Sequence, residues 1–192
     1  MTNASHRTTP PTTASPLAAP ALPLTAGRWA FDPMHSAVGF TIRHLGISKV
    51  RGRFNDFRAE LVVGDSLETS SVTATVALAS VDTGNPDRDA HVRAADLLDV
   101  EKRPTMAFRS TRITGEGEDW TLSGELTIGD VTRPIDFAVE FGGVVEAMDG
   151  SRHAGFDATG EFRRGDFGLG FAPGILGDVV KVGLEMQFVE PR

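Results

Sequence analysis

The sequence predicts an all-β domain, a closed antiparallel barrel of about eight strands with one short inserted helix. Three observations carry that reading. Apolar residues recur with a period of two over most of the stretch from Trp29 to Phe188, the pattern of strands with one buried face. Links of hairpin length separate these runs, several of them containing glycine, as at Gly46 and Gly129-Asp130. The period changes once, after Asn85, and returns after Pro104.

The first 27 residues are of another kind. Pro10, Pro11, Pro16, Pro20 and Pro23 alternate with Thr and Ala, and no Phe or Trp occurs there. Such a stretch buries too little apolar surface to offset its ordering entropy, so residues 1–27 are expected to be a disordered tail and 28–192 the barrel domain. Arg7 is the tail's one fixed positive side chain, and prolines interrupt each apolar stretch. A conventional secretory leader is therefore not expected, and the chain reads as cytoplasmic. Asn3-Ala4-Ser5 fits a glycosylation pattern, but chance explains it better in such a tail.

Trp29 and Phe31 start the alternation. Val38, Phe40 and Ile42 make the next strand, Gly46 turns the chain, and Val50, Gly52 and Phe54 return opposite Lys49, Arg51 and Arg53. Leu61 and Val63 end a further strand, and Val72, Ala74, Val76 and Leu78 share a face of another. Asn85-Pro86 is a helix start, Asn as cap and Pro in the first turn. His91, Ala94, Ala95 and Leu98 follow at helical spacing, so the helix is expected to run towards Pro104. Period two then resumes in four more sets, beginning at Met106, Trp120, Ile135 and Phe156, before a last strand carrying Val180, Val182, Leu184, Met186 and Phe188. Strands this uniformly one-sided favour closure, because a closed barrel has no exposed edge.

Composition narrows the function. The net charge of -7 over 192 residues argues against nucleic acid as partner. With no cysteine, disulfides, thiolate metal sites and thiol catalysis are excluded. No apolar run reaches the length of a membrane-spanning helix. Aromatic character comes from 12 Phe, against 2 Trp and 0 Tyr, so any surface these rings line lacks phenolic hydrogen-bonding groups.

A barrel of about eight strands is either packed solid or wide enough for one small ligand. Its inward set holds Phe40, Phe108, Phe137, Phe141, Phe162 and Met186, but also Ala74, Ser110, Gly124, Ala158 and Gly160. The small residues fit a tapering solid core as well as an open lumen, and alternation does not choose between them.

His35, His44, His91 and His153 are the candidates for metal or acid–base chemistry. No pair has zinc-hydrolase spacing and no carboxylate stands at a telling offset, so structural roles are expected. His44 shares parity with Val38, Phe40 and Ile42, which makes it the candidate polar handle at a barrel mouth; a histidine bonded to nearby backbone is the plainer reading. His91 is expected to pack on the barrel. Asp166-Phe167-Gly168 looks like the metal-binding triplet of protein kinases, but the accompanying kinase motifs are missing and a tight turn is the better account. Lys49, Arg51, Arg53 and Arg58 form the one local basic cluster. It has the chemistry for an anionic head group, yet alternation puts the first three outside, and a solvated strand face is the expectation. Arg43 and Arg112, near strand ends, are within reach of a mouth.

Several stretches together resemble YceI-like proteins. These are Phe31-Asp32-Pro33-Met34-His35-Ser36, Val38-Gly39-Phe40, His44-Leu45-Gly46 and Val50-Arg51-Gly52-Arg53-Phe54. Asp82-Thr83-Gly84, Arg88-Asp89-Ala90-His91, Asp96-Leu97-Leu98-Asp99 and Arg103-Pro104-Thr105 continue the match. Gly124-Glu125-Leu126-Thr127-Ile128, Val131-Thr132-Arg133-Pro134, Arg164-Gly165-Asp166-Phe167-Gly168-Leu169 and Leu176-Gly177-Asp178 complete it in order. The resemblance implies a lipocalin-like, eight-stranded antiparallel barrel whose elongated apolar cavity binds polyisoprenoids, isoprenoid quinones or related long-chain lipids. It brings no catalytic set, metal or cofactor. Well-known members are periplasmic, so the expectation of no leader here is a departure from them.

The expected function is therefore a carrier or store of isoprenoid-type lipid. Its expected wall is Val38, Phe40, Ile42, Val76, Phe108, Leu122, Leu126, Phe137, Phe141, Phe162, Leu184 and Met186, with His44 at the mouth. At about -0.3 kcal/mol per heavy atom, a chain of about 20 carbons would gain roughly 6 kcal/mol, a micromolar-range binder. Two alternatives stand beside it: an enzyme acting on a small hydrophobic substrate in the same cavity, and a solid barrel serving as an interaction module. Assembly, monomer or homodimer, is left open.

Overall fold

The computed structural model describes residues 22–191; the tail expectation for residues 1–21, and Asn3-Ala4-Ser5 with it, lies outside the described residues. The strands are β1 (Gly27–Phe31), β2 (Ala37–His44), β3 (Ser48–Phe54), β4 (Phe57–Val63), β5 (Ser71–Ala77), β6 (Val81–Asp82), β7 (Thr105–Glu116), β8 (Asp119–Ile128), β9 (Val131–Glu146), β10 (Arg152–Arg163) and β11 (Leu176–Val189), with helix α1 (Pro86–Arg93) between β6 and β7.

These eleven segments form eight antiparallel staves, because β1–β2, β3–β4 and β5–β6 are each one interrupted path. A 3-10 turn at Pro33–His35 separates β1 from β2, and the Asp32 carboxylate caps it by accepting from the Met34 amide at 2.9 Å. Both halves lie on one edge of β11, with Phe31 opposite Phe188 and Ala37 opposite Glu185. The same path meets the other interrupted stave, Trp29 opposite Leu61 and Val38 opposite Phe54. The barrel is closed.

One end is plugged. Trp29, Leu61, Val63, Trp120, Phe141, Ala154 and Phe188 pack there with Leu24. Trp29 is 1% exposed, and its indole donates to the Thr25 carbonyl at 2.8 Å. Trp120 and Phe141 stack with centroids 4.9 Å apart. Leu22 and Leu24 thus pack on the domain although they fall within the expected tail; Leu24 is buried and Thr25 is bonded to Trp29 and Glu190, contacts that averaging over the prolines hides.

At the open end β6, α1 and the following loop cover the gap between β3 and β7. Asn85 caps α1, its side chain accepting from the Arg88 amide at 3.0 Å, with Pro86 in the first turn. The helix is shorter than its spacing suggests and ends at Arg93. That guanidinium donates to the carbonyls of Ala79 and Val81, both at 2.7 Å, which anchors the last turn to β6. Turns then carry the chain through Asp99, at φ 50°.

Glycines on the inner face accommodate aromatic rings. A Cβ on Gly124 would stand 2.4 Å from the Phe108 ring and 2.5 Å from the Arg109 carbonyl oxygen, and one on Gly160 would meet Phe137 at 2.7 Å. Overpacking of this kind costs about 1–3 kcal/mol. Gly124→Ala is therefore expected to lower the melting temperature by about 3–10 °C in thermal denaturation; an unchanged melting temperature would show that Phe108 simply moves aside.

Candidate functional site

The barrel is hollow above its plug. A deeper cavity of about 140 Å³ and an outer one of about 470 Å³ occupy its interior. They share Val38, Met106, Phe162 and Val182, and so abut at a waist formed by β2, β7, β10 and β11. Alternation places these walls: inward residues of each strand are apolar, and closure turns every inward face on a common axis.

The structure distributes the expected wall over both cavities. Val76, Phe108, Leu122, Leu126, Phe137, Leu184 and Met186 line the deeper one. Phe40, Ile42 and His44 line the outer one, and Val38 and Phe162 both. Phe141 lines neither cavity; it has the right parity but lies at plug level, stacked on Trp120. Further wall residues include Met106, Val139 and Val182, which parity could have identified. Phe171, Ala172, Ile175 and Leu97 come from irregular segments without a periodic signal, and Leu98, read as helical by its spacing, lies in the turns after α1.

Polar side chains gather at the outer cavity: His44, Thr83, Arg88, His91 and Arg164. All but His44 are hydrogen-bonded within the protein. Buried Asp89 accepts from the Thr83 amide at 2.8 Å and its hydroxyl at 2.6 Å, while Arg88 donates to the Thr83 hydroxyl and carbonyl at 2.7 and 2.8 Å. This clamp ties the start of α1 to the end of β6. His91 Nε2 lies 3.0 Å from Asp96 Oδ2, and the ring sits edge-on to Phe171 at 5.3 Å. The hydrogen bond from His91 holds the Asp96 carboxyl below its usual range. Arg164, 6% exposed, donates to the carbonyls of Gly177, Leu169 and Leu176. His44 is half-buried, and its imidazole has no hydrogen-bond partner among the described residues.

The other histidines lie elsewhere. His35 Nδ1 is 2.8 Å from Asp32 Oδ2. Burial would raise the Asp32 pKa, but hydrogen bonds from His35 and the Met34 amide outweigh it and hold that carboxyl low. His153 lies between Ser151 Oγ at 2.8 Å and Gln187 Nε2 at 2.9 Å, but Ser151 also donates to Asp149 at 2.6 Å. This Ser–His contact borders neither cavity, so it has no enclosed space in which to hold a substrate. No group of three or more His, Cys, Asp or Glu able to hold a metal occurs among the described residues. Asp166 is exposed beside buried Phe167, and Gly168 takes φ 74°, a turn geometry.

Comparison with known proteins gives a consistent result. Residues 29–188 match the model of the YceI-like domain. A UPF0312 protein of Pectobacterium carotovorum is 35% identical over 147 residues, covering 75% of this chain and 77% of the relative. The crystal structure of a Campylobacter jejuni YceI protein superposes with a TM-score of 0.71 at 32% identity, over 79% of this chain and 91% of that one. A polyisoprenoid binding domain from Saccharophagus degradans shares the fold, with a TM-score of 0.65 at 15% identity over 87% of this chain and all of that one, 100%.

Proposed function

The chain belongs to the YceI-like family, and from that membership we propose that it binds an isoprenoid-type lipid, a polyisoprenoid or isoprenoid quinone, inside the barrel as carrier or store. The observation that carries the proposal is the pair of apolar cavities abutting end to end, with polar side chains confined largely to the outer one. Val180 and Phe188, near the two ends of that path on β11, lie eight residues apart. At ~3.3 Å per residue and a tilt of ~40°, that is about 20 Å along the axis. A long, thin, hydrocarbon ligand suits this shape, and burial of its chain supplies the affinity. The polyisoprenoid binding domain of the same fold supports the ligand class. The hollow interior weighs against a solid barrel serving only as an interaction module. Binding without catalysis is the simpler use of these walls, where the Thr83 hydroxyl, bonded to Asp89, also accepts from Arg88 within the clamp on α1.

Native mass spectrometry after detergent-free purification is expected to find a co-purified lipid. Isoprenoid quinone added at about 100 times its dissociation constant should stabilise the fold by about 2.7 kcal/mol, raising the melting temperature by about 5–10 °C. A bare protein mass, no thermal shift, and Phe40→Trp and Phe137→Trp variants whose emission ignores the quinone would together end this reading.

A further inference from the structure

The open end exposes apolar side chains where the backbone disfavours them. In the β2–β3 turn Leu45 has φ 52° and Gly46 φ 71°, and the Ile47 amide donates to the His44 carbonyl at 3.2 Å. Two successive positive φ values mark a type I′ turn, whose first central position favours Asn, Asp or Gly. A leucine there bears a steric penalty, and an outlier of this kind asks for a functional reason. Leu45 is 53% and Ile47 84% exposed. The Leu45 amide donates to the Ile175 carbonyl at 2.7 Å, which joins the hairpin tip to the β10–β11 connection. Ile175 is 50% exposed and also lines the outer cavity. The apolar patch therefore runs into the cavity mouth.

Cations flank it. Arg43 pairs directly with Lys49 across β2 and β3, and Arg51 follows opposite Thr41; all three cations are exposed. Like charges placed opposite one another repel, and none of the three is ion-paired among the described residues. This occurs in a chain of net charge -7. Carboxylates at the same end include Asp96, bonded to His91, Asp178, bonded to Arg163 and the Gly165 amide, Asp99 and Asp82, paired with Lys102 and Arg53, buried Asp89, bonded to Thr83, and the exposed Asp87 and Asp166. The plugged end has the opposite character: its exposed Met34, Val145 and Met148 lie near Asp32, Glu146 and Asp149 in the chain. Apolar exposure alone does not distinguish the two ends; the run of cations beside the apolar tip, unpaired among the described residues, does.

We propose that the open end docks on an anionic lipid bilayer. Leu45, Ile47 and Ile175 enter the boundary between head groups and acyl chains, and Arg43, Lys49 and Arg51 sit among the head groups. The cavity mouth then faces the membrane, so a lipid can pass between bilayer and barrel without crossing water. That use rests on the lipid-binding reading; the docking itself rests on the patch.

The test is co-sedimentation of the full chain with vesicles of phosphatidylcholine alone and of phosphatidylcholine mixed with phosphatidylglycerol. Binding is expected with the mixture, weakening as salt is added. Ile47→Asp should reduce affinity at least about tenfold. The double variant Arg43→Gln/Lys49→Gln should reduce it about 25-fold, roughly fivefold per cation. Met148→Asp, at the far end, should bind as the parent does. All are surface changes, so equal melting temperatures exclude misfolding. Failure of the parent to sediment, or equal binding by parent and open-end variants, overturns the proposal. So does light scattering that shows Ile47→Asp splitting a dimer while the parent ignores vesicles, since the patch would then join two copies. Isoprenoid quinone delivered from cyclodextrin separates the two readings. Uptake without vesicle binding defeats docking alone, and vesicle binding without uptake defeats the lipid-binding reading alone.

Discussion

Val182→Trp is expected to abolish binding of a long isoprenoid while leaving the barrel folded. Val182 lies on β11 opposite Phe40 on one side and Gly160 on the other, and it borders both cavities. An indole at this position enters the waist between Val38, Met106 and Phe162 and separates the deeper space from the mouth. If about ten carbons lose their place at ~0.3 kcal/mol each, the loss is about 3 kcal/mol, roughly 150-fold in affinity. Ala158→Phe, on the wall of the deeper cavity, should instead spare short ligands that fill only the outer space. Native mass spectrometry with isoprenoids of increasing length reads both outcomes, and the ligand-free melting temperature tests for overpacking. Undiminished binding of long chains by Val182→Trp would mean that the ligand does not pass the waist.

Arg164→Met is expected to be among the most destabilising single changes outside the plug. The Arg164 guanidinium satisfies the Gly177, Leu169 and Leu176 carbonyls, joining the turn after β10 to the start of β11. Methionine is of comparable length but has no donor. Leaving buried carbonyls unpaired costs about 1–3 kcal/mol each, partly relieved by water, so a total of about 3–5 kcal/mol is expected. For a chain of this size that is a fall of about 10–15 °C in melting temperature. Arg164→Lys should recover little, because an ammonium presents its donors from a single point rather than a planar fork. The same turn carries Phe171, Ala172 and Ile175 to the mouth, so lipid uptake should fall with stability. A loss below about 1 kcal/mol would show that water replaces the guanidinium without strain.

How much of this was legible follows from which signals are local. Phe137 and Leu126 could be placed on the inner wall because parity is set by the two-residue pleat of their own strands. Phe141 has the same parity as Phe137, yet stacks on Trp120 in the plug; pleat gives the side of a strand and says nothing of depth along the barrel. The α1 start was legible in Asn85-Pro86, whereas its end depends on Arg93 reaching the carbonyls of Ala79 and Val81. Leu24 sits in a proline-rich stretch whose average composition conceals a single buried anchor. Lys49, Arg51 and Arg53 lie outside, as alternation predicts. Arg53 pairs with Asp82 at 3.1 Å, so the local cluster divides between a bonded arginine, Lys49 opposite Arg43 and Arg51 opposite Thr41.

By itself, the sequence determined the strands, their inward faces, the one helix and the absence of cysteine chemistry, since each depends on composition or on residues a few positions apart. Tertiary structure decided that the barrel is hollow. Gly124 and Gly160 accommodate the rings of Phe108 and Phe137 rather than opening the lumen. The remaining space depends on how eight staves close around one axis. Tertiary structure also brought Leu45 beside Ile175, far apart in the chain, and thereby made a mouth with an apolar lip. Volume and adjacency of this kind arise between distant segments, and a periodicity that compares only near neighbours does not encode them.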